Sequence, residues 1–352
     1  MKYLQLLLLS SLLLISCREH PATGLSVTTI AKGMMPALAK DANNNIHVVY
    51  GSGDSILYVF SNDNGVSFST PVLVDTLTNL VASATRGPQI TATKDGIAII
   101  AANNEGNIFS YYKNETGKWS KAGKINDADT TAKEGFLGLS SDGQNNLFAV
   151  WPDVRNDKQN KIYGARSNDG GKTWSKNIMV YTSPDSTVCE CCKPSVVMKD
   201  KQVYVMFRNW LNGNRDLYII KSLDAGNTFG EAEKLGKGNW PLNGCPMDGG
   251  SIVINSNGAA QTVWRRENKI YSCEPGAAEK EIAEGKNCTM ETINNKNIYA
   301  FTNNGNIYCL FPDGQKHLLG KGSLPLLKSV SDNQVICIWQ KDDEICRGVL
   351  QL

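Results

Sequence analysis

Apolar residues in this chain come in runs of four or five, separated by short stretches of Gly, Asn, Asp and Ser. Ile46-His47-Val48-Val49-Tyr50, Ile56-Leu57-Tyr58-Val59-Phe60 and Pro71-Val72-Leu73-Val74 are typical, and with Ala37-Leu38-Ala39 before them they read as four strands joined by tight turns. The same quartet recurs. A second unit starts near Pro88, a third near Phe136 with Leu147–Trp151 as its second strand, and a fourth at Pro194 with Val203–Phe207 second. A fifth starts near Gly249 with Gln261–Trp264 second, and a sixth at Thr289 with Ile298–Phe301 and Ile307–Leu310 following. The seventh has three strands, Pro325–Val330, Val335–Trp339 and Glu344–Leu350, before the chain ends. The segment Leu25-Ser26-Val27-Thr28-Thr29-Ile30 is a strand without a unit. Pairing it as the fourth strand of the last unit would close a ring and cover an exposed sheet edge.

A second repeat is laid over the first. Ser61-Asn62-Asp63-Asn64-Gly65-Val66-Ser67-Phe68, Ser167-Asn168-Asp169-Gly170-Gly171-Lys172-Thr173-Trp174 and Ser222-Leu223-Asp224-Ala225-Gly226-Asn227-Thr228-Phe229 all read S-x-D-x-G-x-[ST]-[FW]. A shortened copy, Asn114 to Trp119, lies halfway between the first two. In such a turn the Asp carboxylate accepts bonds from backbone N–H groups, Gly supplies a left-handed position, and the aromatic ring folds back as a plug.

This pattern resembles the Asp-box (BNR) repeat of the sialidase superfamily, with Asp63, Asp169 and Asp224 as the box aspartates. The resemblance implies an all-β propeller of four-stranded blades. Seven blades are counted here. Six, the number in the family's sialidases, is the alternative because the last two units are short. A pair of β-sandwiches fits the regular spacing poorly. The repeat marks architecture, and it occurs in propellers with and without catalysis.

The amino terminus places the protein. Met1-Lys2 is followed by an apolar run from Leu6 to Ile15 and then by Ser16-Cys17. The run is too short for a permanent span and reads as a secretory leader. Ser16-Cys17 resembles a bacterial lipobox, which implies a signal peptide at residues 1–16, lipidation of Cys17, a linker at 17–24 and one propeller domain at 25–352. The expected location is the cell envelope, facing periplasm or cell surface, with the membrane touched through the lipid anchor alone. The 352 residues carry 20% charged side chains and a net charge of +2, which argues against nucleic acid as a partner.

In a propeller, the loops entering each innermost strand share one face with the loops joining second and third strands. The entry positions are Met34-Met35-Pro36, Arg86-Gly87-Pro88, Glu134-Gly135-Phe136, Cys192-Lys193-Pro194, Met247-Asp248-Gly249 and Cys288-Thr289-Met290. The other loops add Asp153, Arg155, Arg208, Arg215, Arg265 and Arg266. Guanidinium groups bind carboxylates through paired hydrogen bonds, so Arg86, Arg155, Arg208 and Arg265 are candidate ligands for an acidic glycan or another anion. Arg155 and Arg215 also read as loop braces, since Asp-Val-Arg-Asn and Asn-Arg-Asp resemble structural turns. Sialidases use three arginines, an Arg-Ile-Pro motif, a Tyr–Glu nucleophile pair and an acidic Asp. Arg86-Gly87-Pro88 is a loose echo of that motif, and Asp248 and Glu134 are the candidate acid and base. No tyrosine stands at a nucleophile position; Tyr271 and Tyr308 lie within strands. The expectation is an acidic-glycan binder with possible hydrolysis, and the alternative is a non-catalytic binding or assembly module.

Cys17 apart, nine cysteines remain, an odd number. Cys189-Glu190-Cys191-Cys192 enters the fourth unit, and Cys245 enters the fifth. One reading pairs Cys245 with Cys191 or Cys192 as a disulfide staple. The other gathers Cys189, Cys191, Cys192 and Cys245 around Cu or Zn, with thioethers from Met34, Met35, Met247 or Met290. On the first reading no cofactor is needed. Cys337–Cys346 and Cys273–Cys288 are further candidate pairs, although connectivity does not follow from spacing.

Overall fold

The computed structural model describes residues 20–21, 27–114 and 116–352. The leader, Cys17 and most of the linker lie outside them. Among the described residues there is no helix. Seven four-stranded antiparallel sheets stand around a common axis, and the ring is a seven-bladed β-propeller.

The first blade is Met34–Lys40, Ile46–Ser52, Ser55–Ser61 and Val72–Thr76, from axis to rim. The innermost strands of the next six are Gln89–Thr93, Gly138–Ser141, Ser195–Lys199, Ser251–Ile254, Lys286–Ile293 and Ser323–Ser331, and neighbouring inner strands touch in a closed cycle. The seventh blade takes its outermost strand from the other end of the chain: Val27–Lys32 pairs antiparallel with Glu344–Gln351. The orphan strand closes the ring, as the sequence pattern requires. His20–Pro21 adds a short parallel pairing outside Lys316–Lys321 of the sixth blade.

The second strands read as unbroken apolar runs because both faces of every blade are buried. Ile46, Val48 and Tyr50 pack toward the seventh blade, whereas Val49 packs toward the second. Each of the seven junctions between blades holds one such apolar cluster. The core is therefore a set of wedges between sheets, and the axis is left to the ends of the inner strands.

The three repeated turns are built alike. The Ser167 hydroxyl donates to Asp169 Oδ1 (2.8 Å) and accepts from the Gly171 N–H (2.9 Å), while Thr173 donates its N–H and hydroxyl to the same carboxylate (2.9 and 2.6 Å). Asp63 and Asp224 make the equivalent bonds with Ser67 and Thr228. In the shortened copy, Asn114 Oδ1 takes the Asp role, accepting from the Lys118 N–H. Hydrogen bonds from Ser61 and Ser67 hold the Asp63 carboxyl down at about 2. These turns lie beside the hairpins joining first and second strands: Gly170 donates to the Asn145 carbonyl and Ala225 to that of Lys201. The opposite face is left to the entry loops.

Candidate functional site

The entry face is uneven. Segments 77–88, 125–137, 182–194 and 235–250 lead into blades two to five, whereas single residues, Gly285, Gly322 and Gly33, lead into blades six, seven and one. At the second position of three inner strands one residue is left-handed, Met35 (φ 55°), Asn287 (φ 50°) and Leu324 (φ 57°), and Met247 (φ 54°) is left-handed in the segment entering blade five. This conformation is uncommon for side chains other than Asn or Gly.

An axial cavity of about 180 Å³ opens between these entries. Its polar lining includes Thr85, Gln89, Lys193, Asp248, Asn287 and Thr289, drawn from blades two, four, five and six. Gly249 is required here by close approach, because a Cβ would stand 1.9 Å from the Lys193 carbonyl oxygen.

Lys193 is the one lysine or arginine lining the cavity. Its ammonium donates to Gln89 Oε1 at 2.7 Å. The Gln89 amide is oriented in turn by donating to the carbonyls of Gly87 and Pro88 at 3.0 and 2.9 Å. Burial lowers the Lys193 pKa to about 8. Asp248 is 4% exposed, and its Oδ2 accepts the Asn287 N–H at 2.7 Å. Burial pushes this carboxyl upward, against that hydrogen bond and the charges of Arg208 and Arg265. The cavity thus pairs a cation that titrates near neutrality with a carboxyl that keeps its proton more readily than usual.

The arginines expected to hold an anion are mostly occupied. Arg208 is 1% exposed, and its guanidinium donates to the carbonyls of Asp248, Arg215 and Arg265. Arg155 is clasped by Asp153, Asp127 and Asn177 and lies over Tyr163, the loop-brace reading. Arg265 donates to the Glu267 carbonyl and stands 5.5 Å from the Trp240 ring, which Arg208 also approaches at 5.1 Å. Arg86 borders an open groove. It stacks 4.7 Å over Phe136, with Nη2 3.9 Å from Glu134 Oε2, beside a groove of about 560 Å³ shared with Lys133. Burial raises the Glu134 pKa, opposed by Arg86 and aided by Glu190 and Cys189.

Arg86 and Glu134 are therefore brought together, but Glu134 lines the groove and Asp248 the axial cavity. The proposed acid–base pair is split between two openings. Lys193 was not singled out by sequence, although a lysine wedged between Cys192 and Pro194 at an entry position was the available signal.

The cysteines depart from the disulfide expectation. All nine described cysteines are free thiols. Cys245 is exposed and stands outside the cluster, so it staples neither Cys191 nor Cys192. Cys337 lies opposite Gly348, and Cys346 opposite Trp339, a two-residue offset across the hairpin. Cys273 packs into the junction of blades four and five and Cys288 into that of five and six, with the fifth sheet between them. Cys189, Cys191 and Cys192, in contrast, are buried together. Cys189 Sγ is 3.6 Å from that of Cys191 and 3.4 Å from that of Cys192, and Met247 packs against the group. Arg215 Nη1 donates to Cys189 Sγ at 3.0 Å and to Glu190 at 3.2 Å. The neighbouring thiols, followed by Arg215, lower the Cys189 pKa; hydrogen bonding with Cys189 raises that of Cys191, and burial raises that of Cys192.

No protein-family model matches this sequence, and no curated protein sequence matches it. Solved structures do match in fold. The BP39L lectin from Burkholderia pseudomallei is 10% identical, with 91% of this chain and 96% of that chain covered and a TM-score of 0.66. A protein of unknown function from Dyadobacter fermentans is 13% identical over 94% of this chain and 99% of that one, with a TM-score of 0.52. The Aleuria aurantia lectin, solved with Fucα1-6GlcNAc, is 10% identical over 84% and 98%, with a TM-score of 0.51. At these identities the likeness is one of fold.

Proposed function

We propose that this chain is an exported, lipid-anchored Asp-box propeller that binds the acidic group of a glycan in the axial cavity without hydrolysing it. The observation that carries the reading is Lys193, a partly buried ammonium held by Gln89 and the one basic side chain in a cavity whose other lining is apolar residues, the Asp248 carboxyl and a few hydroxyl and amide groups. A carboxylate would take the place of water on that ammonium as a charge-assisted contact in a poorly solvated site. Asp248, when protonated, donates to a sugar oxygen. The lectins among its structural neighbours support a carbohydrate as ligand class. The occupied arginines and the separation of Glu134 from Asp248 support binding over turnover.

The test is binding of sialylated, glucuronylated and neutral oligosaccharides to the full chain, with hydrolysis followed in parallel. Acidic sugars should bind, Lys193→Met should abolish that binding, and no reducing end should be released. Equal binding of neutral sugars, or binding unchanged in Lys193→Met, overturns the reading. Loss in Arg86→Ala alone moves the site to the groove.

A further inference from the structure

We infer that Cys189, Cys191 and Cys192 form a binding site for one soft monovalent ion, Cu(I), set into the wall of the axial cavity with the thioether of Met247 as a fourth sulfur. The geometry is the first argument. Thiolates about 2.3 Å from a common metal stand roughly 3.8–4.0 Å apart. The three Sγ atoms lie within 4.8 Å of one another, with two separations of 3.6 and 3.4 Å. An outward shift of a few tenths of an ångström opens the group for an ion. A residue that only fills space in a core does not need two more sulfurs at that distance, and a disulfide staple would use two of the three.

The donor set is the second argument. Among the described residues no imidazole or carboxylate oxygen joins the group. Glu190, which sits between the cysteines in sequence, turns its carboxylate away to Arg215. A site of thiols with a thioether alongside favours Cu(I), whereas Zn(II) at three thiolates normally completes its tetrahedron with nitrogen, oxygen or a fourth thiolate. Charge is the third argument. Each thiol that binds the ion releases its proton to solvent, which leaves net negative charge in a buried place. Arg215, itself buried and stacked 4.4 Å over Trp210, already donates to Cys189 Sγ and is placed to offset that charge. Met247 lines the axial cavity and also packs against the cysteines, so one side chain separates the sulfur group from the open face.

The experiment uses the full chain, reduced and kept anaerobic, titrated with the acetonitrile complex of Cu(I) against a chromophoric Cu(I) chelator. The expected result is one Cu(I) per chain held against the chelator, with sulfur-only coordination by X-ray absorption. It should persist in Cys245→Ser and in Lys193→Met, which separates this site from glycan binding. It should be lost in the double variant Cys189→Ser/Cys192→Ser, with circular dichroism checking that the propeller remains folded. Met247→Leu preserves volume and should remove one sulfur from the coordination shell. Arg215→Met should weaken affinity about 10–100-fold, as loss of a ligand's supporting contact does. Failure of the reduced chain to hold Cu(I), retention in the double variant, or displacement of copper by an equal concentration of Zn(II) overturns the inference.

Discussion

The guanidinium of Arg208 closes on the main-chain carbonyl of Asp248, with Nη2 at 2.9 Å and Nε at 3.2 Å. The contact ties the second strand of blade four to the entry of blade five, and two further carbonyls, of Arg215 and Arg265, complete the shell. Arg208→Ala strands several buried acceptors at once. Each unsatisfied group costs about 1–3 kcal/mol, so a loss of about 3–5 kcal/mol is expected in chemical denaturation, with Arg265→Ala costing much less. A ligand-binding role would instead leave stability nearly unchanged.

The glycine of each repeated turn rests on the second strand of the preceding blade. Gly65 meets Ile336, Gly171 meets Ala98, and Gly226 meets Phe148. A Cβ on Gly226 would lie 2.5 Å from the buried Phe148 ring, at a φ of +81°. Gly226→Ala should therefore cost about 2–4 kcal/mol, combining overpacking with left-handed strain. Gly143→Ala, with no atom within 4 Å of its Cβ, should cost less in the same denaturation series.

The Asp248 carboxyl is raised by burial. Between its ordinary value near 3.9 and its raised value, the folded chain binds more protons than the unfolded one. Stability contributed by this group is thus complete at low pH, falls as pH rises across that window, and stays lower above it. Asp248→Asn removes the titration. Its stability relative to the parent should grow with pH from about 4 upward; a difference independent of pH would refute a raised pKa at this position.

Lys193 loses its proton near pH 8. Above that value affinity for an acidic ligand in the axial cavity should fall about tenfold per pH unit, a decline separate from the loss at lower pH as Asp248 ionises. Lys193→Arg, charged throughout, should bind with no such decline. Calorimetric titrations from pH 6 to 10 would show either course.

Val27–Lys32 is the outer strand of the last blade. Removing it would bare the edge of Glu344–Gln351 and uncover Ala31's place in the seventh junction. A chain beginning after Lys32 should melt at lower temperature and self-associate during size-exclusion chromatography, while the full chain elutes as a defined species.

Much of the fold was legible because a propeller repeats its unit. The unit starts read at Pro88, Phe136, Pro194, Gly249, Thr289 and Pro325 each fall within a few residues of an inner strand. The orphan strand was readable from a missing edge. What spacing could not convey was side-chain direction. Arg155, Arg208 and Arg86 all stand on the entry face, yet Arg86 borders an open groove while Arg155 and Arg208 are held by neighbouring groups. Cys337 and Cys346 flank a hairpin, but register sets them two places apart. The sulfur group was half visible: Cys189, Cys191 and Cys192 are neighbours in sequence, whereas the outward turn of Cys245 depends on the path of segment 235–250.

With long loops walling blades two to five and lone glycines at six, seven and one, the mouth of the axial cavity is a harbour with one low shore. A branched or polymeric guest has room to rest its anchored end inside while the remainder trails over the low side. Selectivity should then be strict for the terminal unit and lenient for whatever is attached to it.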